Sequence, residues 1–130
     1  MIMIVGFACG VFDLFHAGHV LMLKECKENC DYLIIGINKA ENLSQNKNKP
    51  IYSFKERTII LESSRYVDEV VGYNSEEELI QILKSKNITI RFLGDDYKHK
   101  PITAPELVSI YFINRDHGIS SSRIRQTIKK

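Results

Sequence analysis

Apolar residues along this chain fall into five short runs separated by more polar stretches. Within each run the apolar residues are nearly continuous and do not alternate with polar ones. Such runs are typical of strands that are covered on both faces, as in a parallel sheet packed between helices. The five runs are "MIMIVGFA" (1–8), "DYLIIGIN" (31–38), "DEVVGY" (68–73), "ITIRFLG" (88–94) and "VSIYFIN" (108–114).

The stretches between these runs carry helical patterns and helix start signals. Ser53–Glu56 and Ser75–Glu78 each fit a capping box, in which the serine and the glutamate satisfy unpaired backbone N–H groups. Strands that alternate with helices predict a parallel sheet with right-handed crossovers. We therefore expect one Rossmann-like, doubly wound α/β domain over residues 1–130, with a five-stranded, mainly parallel sheet. The predicted helices span about 17–29, 53–64, 75–86 and a last one from about 120.

Composition and charge exclude several other classes of protein. Hydrophobic residues make up 44% of the chain and charged residues 26%, as in ordinary globular domains. The net charge of +2 is too small to favour nucleic-acid binding, and no apolar run approaches the roughly 20 residues that cross a bilayer. The cysteines are odd in number and form no CxxC pair. We interpret them as reduced packing thiols of a cytoplasmic protein, rather than a metal pair at Cys26 and Cys30.

The decapeptide "GVFDLFHAGH" (10–19) carries the strongest chemical signal. It lies where the first predicted strand gives way to the first helix, and ligands of open α/β sheets bind beyond the carboxyl ends of strands. The helix N-terminus offers free N–H groups to a phosphate, and Gly10 and Gly18 allow close approach of the backbone. His16 and His19 can point at the same anion. The alternative is a pair of solvated loop histidines without a chemical role.

Two further polar segments also suit phosphate binding. The stretch 39–50 is dotted with lysines and has no helical periodicity. It is either a solvated surface loop or a cationic loop that closes over phosphates. Ser120, Ser121 and Ser122 precede the last predicted helix, where they either cap it or bind an anion. Neither a Walker A motif nor GxGxxG is present, so the usual P-loop and dinucleotide sites are not predicted.

Several motifs together resemble one family. "HAGH" (16–19) resembles the HxGH motif of the cytidylyltransferase-type nucleotidyltransferases. "RYVDEVV" (65–71), "FLGDDY" (92–97) and "NRDHGISSSRIR" (114–125) follow in the order and spacing of the bacterial glycerol-3-phosphate cytidylyltransferases. The motifs run from one end of the chain to the other, so the resemblance covers essentially its whole length and implies both fold and reaction.

The resemblance implies a cytidylyltransferase that joins CTP to sn-glycerol 3-phosphate and releases CDP-glycerol and pyrophosphate. In such a reaction the acceptor phosphate attacks the α-phosphate of CTP in line, and the protein mainly positions groups and neutralises charge. Mg²⁺ is expected with the triphosphate, since it bridges phosphate oxygens. The resemblance also implies a homodimer, with neither a nucleic-acid nor a membrane partner.

The same resemblance implies a role for each matched residue. The imidazoles and cations implied to stabilise the transition state are His16, His19, Lys49 and Arg115. The cations implied to bind the acceptor are Lys47, Arg57 and Arg65, although either arginine could instead pair with a nearby surface carboxylate. The positions implied to bind the nucleotide are Val11, Phe12, Gly18, Lys49, Asp95, Arg115, Gly118, Ile119, Ser120, Ser121 and Ser122. No protein ligand to a metal is predicted.

The chain departs from this family on the acceptor side. The glycerol-phosphate enzymes carry a substrate-facing lysine early in the third helix, where this chain reads Glu76-Glu77-Glu78-Leu79. "HAGH" and "GDDYK" also resemble the heptose-phosphate adenylyltransferases, which use ATP. The alternatives are therefore a nucleotidyltransferase that uses CTP or ATP with another acceptor, such as a sugar phosphate, and a catalytically silent nucleotide-binding module.

Overall fold

A five-stranded sheet with helices on both faces forms the centre of the structure, a computed structural model that describes residues 2–40 and 49–113. At positions 95 and 96 the description is limited to the backbone. The strands are β1 (Val5–Gly10), β2 (Tyr32–Asn38), β3 (Glu69–Tyr73), β4 (Ile90–Gly94) and β5 (Ser109–Ile113). The helices are α1 (Ala17–Glu28), α2 (Phe54–Glu62) and α3 (Glu76–Ser85), and a short 3₁₀ segment covers Asp95–His99.

The strand order places a switch point at the centre of the sheet. The order is β3-β2-β1-β4-β5, and every pairing between these strands is parallel. From β1 the chain moves outward through β2 and β3, and it then crosses to the other side of β1 for β4 and β5. The predicted doubly wound α/β fold is confirmed, and its ligand crevice is expected where the carboxyl ends of β1 and β4 diverge.

The start of β1 differs from the predicted run 1–8. The strand begins at Val5, which pairs with Tyr32, the first residue of β2. Residues before Val5 precede the paired part of the sheet, and Ile2 is 89% exposed although it is apolar. The strand continues instead through Cys9 to Gly10, because β2 provides partners up to Ile37.

Each face of the sheet is covered by helices with an apolar side. On one face, Leu23 of α1 and Leu61 of α2 belong to the same buried cluster. On the other face, Leu79 and Leu83 of α3 pack with Phe7 of β1. The two clusters hold α1 and α3 against opposite sides of the sheet. Because each of these helices follows a strand of a parallel sheet, both begin near the carboxyl ends of the strands.

Cys26 of α1 and Cys30, two residues after that helix, belong to the packing of the molecule. Cys26 is fully buried in the core between α1 and the sheet, and Cys30 donates from Sγ to the carbonyl oxygen of Cys26 at 3.3 Å. Burial raises the pKa of the Cys26 thiol, so this group stays neutral. No helix in the described ranges combines the length and the apolar character that a membrane span requires.

Candidate active site

The turn between β1 and α1 is tightly wound and firmly anchored. Phe12 and Leu14 have φ values of 55° and 49°, in the left-handed region that side chains rarely adopt. Asp13, between them, is buried and accepts hydrogen bonds from the N–H groups of Ile51 at 2.8 Å and Tyr52 at 2.9 Å. Strained backbone of this kind persists where surrounding contacts hold it, and it concentrates at functional sites.

His16 and His19 close the first turn of α1 together. His16 is the N-cap, and its Nδ1 accepts from the N–H of Gly18 at 3.0 Å. Nδ1 of His19 accepts in return from the backbone N–H of His16 at 3.2 Å. This is a reciprocal capping box, with imidazoles in place of the usual serine and glutamate. The sequence predicted the two histidines at a helix start but not that each caps the helix.

The capping bonds decide which nitrogen of each ring carries the proton. An imidazole that accepts through Nδ1 carries its proton on Nε2 when it is neutral. The two rings stack with centroids 4.0 Å apart, and the His19 ring also contacts Phe12 and Phe15, at 5.5 and 5.3 Å between centroids. Two fixed rings with Nε2–H donors side by side are suited to hold the oxygens of a phosphate.

The electrostatics of α1 favour an external anion at this point. The first turn of α1 contains no acidic residue, whereas α2 has Glu56 there and α3 has Glu76, Glu77 and Glu78. A helix N-terminus carries a partial positive charge, which carboxylates of the first turn otherwise offset. Of the three described helices, α1 is therefore the one whose first turn carries no carboxylate to offset this charge.

Arg57 is buried beneath the site. Its side chain is among the largest fully buried ones, and Nη1 donates to the carbonyl oxygens of Val11 at 2.9 Å and Asn38 at 2.7 Å. Nη2 donates to the carbonyl oxygen of Lys39 at 2.9 Å. Arg57 thus ties the end of β1 to the end of β2. These contacts differ from the surface ion pair that was one interpretation of the sequence. The predicted contact of Arg57 with the acceptor stays a prediction.

The other predicted residues are placed as follows. Arg65 is exposed, and its Nη2 donates to the Tyr66 hydroxyl at 2.8 Å. Lys49 is exposed in the segment that leads to α2, and Asp95 follows β4 at the carboxyl edge. The predicted residues that lie outside the described part of the chain are Lys47, Arg115, Gly118, Ile119, Ser120, Ser121 and Ser122.

A cavity of about 450 Å³ opens at the switch point. Its wall includes the ends of β1 and β4, the beginnings of α1 and α3, and residues 101–103. Of the predicted nucleotide-binding residues, Val11 and Phe12 line it, as does His19. The structure therefore places one of the paired imidazoles on a cavity large enough for a small phosphorylated molecule.

Two functional candidates were missed by sequence reasoning. Asp13 lies inside the motif "GVFDLFHAGH", and its position between apolar residues was the available signal. Arg91 lies on β4 and lines the cavity, although it is 4% exposed. The signal for Arg91 was a charged residue inside the apolar run "ITIRFLG" (88–94). Both are charged side chains that are buried, and such side chains are almost never fully buried unless they are paired.

The described side chains do not form a metal centre by themselves. Within residues 2–40 and 49–113, no three side chains of histidine, cysteine, aspartate or glutamate are grouped closely enough to hold a metal ion.

Comparison with known proteins identifies the family. The family model described as cytidylyltransferase-like matches residues 7–127. Glycerol-3-phosphate cytidylyltransferase of Bacillus subtilis (strain 168) is 34% identical over 119 residues, which cover 92% of each chain. The bifunctional protein HldE of Campylobacter jejuni subsp. jejuni (strain 81116) is 34% identical over 128 residues, which cover 95% of this chain and 27% of that protein.

A solved structure agrees with these relatives. The lipopolysaccharide core biosynthesis protein from Thermoplasma volcanium superposes with a TM-score of 0.68 and 26% identity, covering 86% of this chain and 95% of that one. The HxGH histidines and the switch-point cavity thus lie in a fold shared with such proteins. The chain belongs to the cytidylyltransferase-like family and is a nucleotidyltransferase.

Proposed function

We propose that this enzyme transfers the cytidylyl group of CTP to a phosphorylated alcohol, with sn-glycerol 3-phosphate as the leading acceptor. An oxygen of the acceptor phosphate forms a bond to the α-phosphorus of CTP, and the bond from that phosphorus to the β-phosphate bridging oxygen breaks. Pyrophosphate leaves with that oxygen, and CDP-glycerol is the other product. CTP would enter as its magnesium complex, in which Mg²⁺ would offset part of the negative charge of the triphosphate.

The observation that carries this proposal is the histidine capping box at the start of α1. Nδ1 of His16 and Nδ1 of His19 both accept from backbone N–H groups, so each neutral ring carries its proton on Nε2. The rings are held in place before substrate binds, and the helix provides a partial positive charge behind them. Preorganised donors of this kind stabilise the negative charge that develops on the phosphates in the transition state.

The remaining residues are assigned around this pair. Val11 and Phe12 would lie along the nucleotide, and Lys49 and Arg115 would contact its phosphates, with the segment 118–122 beside them. Lys47 and Arg65 would bind the acceptor. The contacts of Arg57 with backbone carbonyls favour a positioning role, because they fix the ends of the strands that carry the site.

A second candidate is a transferase for another acceptor, such as a sugar phosphate, with CTP or ATP as the donor. The likeness to the Thermoplasma volcanium protein favours it, as does the absence of a lysine in the first turn of α3. Under either function the enzyme is expected in the cytoplasm as a homodimer, by resemblance to its family.

One assay tests both functions. The chain is mixed with Mg²⁺, each of the four nucleoside triphosphates and a panel of phosphorylated alcohols and sugar phosphates, and pyrophosphate is measured. Activity confined to CTP with sn-glycerol 3-phosphate would establish the first function. A preference for ATP or for another acceptor would establish the second. Nucleotide binding without pyrophosphate from any pair would contradict both and leave a silent binding module.

A further inference from the structure

Arg91 is a buried cation that the proposed reaction does not yet use. It lies on β4 opposite Phe7 of β1 and is 4% exposed. Its Nη1 donates to the carbonyl oxygen of Thr103 at 2.6 Å. Its Nε is buried and has no hydrogen-bond partner among the described residues. A buried donor left without a partner is unfavourable, and in native proteins it calls for an explanation.

The charge of Arg91 is also unpaired within the described side chains. Ion pairs there join Lys27 to Asp68 and Lys86 to Glu69, and no described carboxylate lies within 4.0 Å of the Arg91 guanidinium. Burying a cation without a counter-charge is costly, and an anion that arrives with a ligand would offset that cost.

Arg91 and His19 line the same cavity but belong to different levels of the sheet. Arg91 is level with Phe7, three residues before the end of β1 at Gly10, whereas His19 lies beyond that end. At about 3.3 Å per residue, the two levels are on the order of 10 Å apart. Cys9, Tyr73 and Leu79 line the same cavity.

The surroundings of Arg91 suit recognition of an anionic group. Burial raises the pKa of the Tyr73 hydroxyl, so this neighbour stays neutral and can donate a hydrogen bond. The Glu76 carboxylate also lines the cavity; its Oε1 accepts from the Thr103 hydroxyl at 3.2 Å, and it forms no ion pair with Arg91. A guanidinium presents planar, paired N–H donors that match a carboxylate or a phosphate.

We propose that Arg91 is a specificity-determining residue that binds an oxyanion group of the acceptor in this cavity. This inference rests on the proposed nucleotidyltransferase function and adds the chemistry of the acceptor to it. The oxyanion has two possible sources. It is either the acceptor phosphate itself or a second acid group, such as a carboxylate, carried at the far end of the acceptor.

The test compares R91Q and R91K with the wild type, and K98Q serves as the control. Lys98 is an exposed cation in the 3₁₀ segment and does not line the cavity. K98Q therefore removes a positive charge near the same edge of the sheet but leaves the charge of Arg91 in the cavity. Gln retains a donor for the Thr103 carbonyl but has no charge. The acceptors are sn-glycerol 3-phosphate and 3-phosphoglycerate, which are similar in size and differ by a carboxylate. Steady-state KM values for acceptor and CTP are measured, together with calorimetric binding of each acceptor.

We expect R91Q to weaken acceptor binding about 10- to 100-fold, as for the loss of a charge-assisted hydrogen bond. KM for CTP should change less than about twofold, R91K should restore part of the affinity, and K98Q should match the wild type. Weakened binding of both acceptors identifies the phosphate as the group that Arg91 holds. Weakened binding of 3-phosphoglycerate alone identifies the carboxylate.

The proposal is overturned if R91Q binds both acceptors as the wild type does, or if it raises the KM values for CTP and acceptor equally, as a purely structural role would. A wild-type chain that binds neither acceptor overturns it as well. A wild-type chain that binds an acceptor through Arg91 but releases no pyrophosphate contradicts the proposed function and leaves the assignment of Arg91 standing.

Discussion

The first turns of α1 and α2 are closed by the same hydrogen-bond pattern but by different residue types. In α2, Oγ of Ser53 accepts from the N–H of Glu56 at 3.1 Å, and Oε1 of Glu56 accepts from the N–H of Ser53 at 2.9 Å. In α1 the partners are His16 and His19. A carboxylate at N3 satisfies both the N–H group and the helix dipole, whereas a neutral imidazole satisfies the N–H group alone.

The α2 start serves the stability of the helix, whereas we propose that the α1 start binds an anion. The α2 cap leaves no donor on its side chains that needs a further partner, and Glu56 offsets the positive end of the helix. In the α1 cap both rings accept through Nδ1, His19 lines a cavity, and the first turn carries no carboxylate to offset the positive end of the helix. A residue type that is unusual for a capping role therefore marks the place where we propose that the protein binds an anion.

The largest expected effect is on turnover when the α1 cap loses its imidazoles. H16A or H19A should lower kcat by about 10²- to 10³-fold, the usual effect of losing a preorganised transition-state donor. H99A removes an exposed histidine of the 3₁₀ segment and serves as the control. Rates are measured by pyrophosphate release, and near-normal turnover in both alanine variants would refute the assigned role.

H16N separates capping from catalysis within the same position. Asparagine is a good N-cap but has no counterpart of Nε2–H at that distance. We expect the melting temperature of H16N to stay close to that of the wild type while kcat falls as far as in H16A. If H16N retained normal turnover, the histidine would matter for its cap and not for a ligand.

Arg57 connects the α2 start to the α1 turn, and its loss should mainly affect stability. R57M leaves the carbonyl oxygens of Val11, Asn38 and Lys39 without this donor. We expect it to lower the free energy of unfolding by about 3 kcal/mol or more. R65M, at an exposed position, should change the free energy of unfolding by less than about 0.5 kcal/mol. Urea denaturation of both variants checks the comparison, and equal effects would contradict it.

Removing the α2 cap should have a smaller effect and leave the reaction unchanged. S53A deletes the hydroxyl that accepts from Glu56 N–H, which should cost about 1 kcal/mol of stability. The KM values for CTP and acceptor should stay within about twofold of the wild type, because the α2 start is a structural one. A selective rise in one KM value would show that this helix start also contacts substrate.

The smallest expected effect is the pH dependence of the α2 cap. Hydrogen bonds from the Ser53 backbone and side chain lower the pKa of Glu56 below its ordinary value of 4.5. A carboxyl whose pKa is lower in the folded state contributes stability above its unfolded pKa and loses it as the pH falls through the folded one. We expect E56Q to flatten the fall in melting temperature below about pH 4.5, and an unchanged acid profile would contradict this assignment.

Much of the fold could be predicted from the pattern of residues. The nearly continuous apolar runs identified the five described strands, because a strand with helices on both faces carries few polar side chains on either face. Ser53 and Ser75 marked the starts of α2 and α3, since a capping residue acts within one turn of the chain. The start of β1 was misplaced, because its limit is set by Tyr32 of a different strand.

The candidate site was predictable only in part, for a related reason. His16 and His19 belong to one local motif, so their proximity follows from helix geometry. Arg91 and His19 lie 72 positions apart in the chain, and their shared cavity depends on the pairing of β4 with β1. Arg57 shows the same limit, because its guanidinium is positioned by carbonyl oxygens from two strands.

The sequence alone determined the alternation of strands and helices, the position of the histidines at the start of α1, and the family that they indicate. Each of these features depends on residues that are close together in the chain. The tertiary structure decided the strand order, the burial of Arg57 and the exposure of Arg91 to the cavity. Those features depend on which strands become neighbours, and this is settled by the packing of the whole chain.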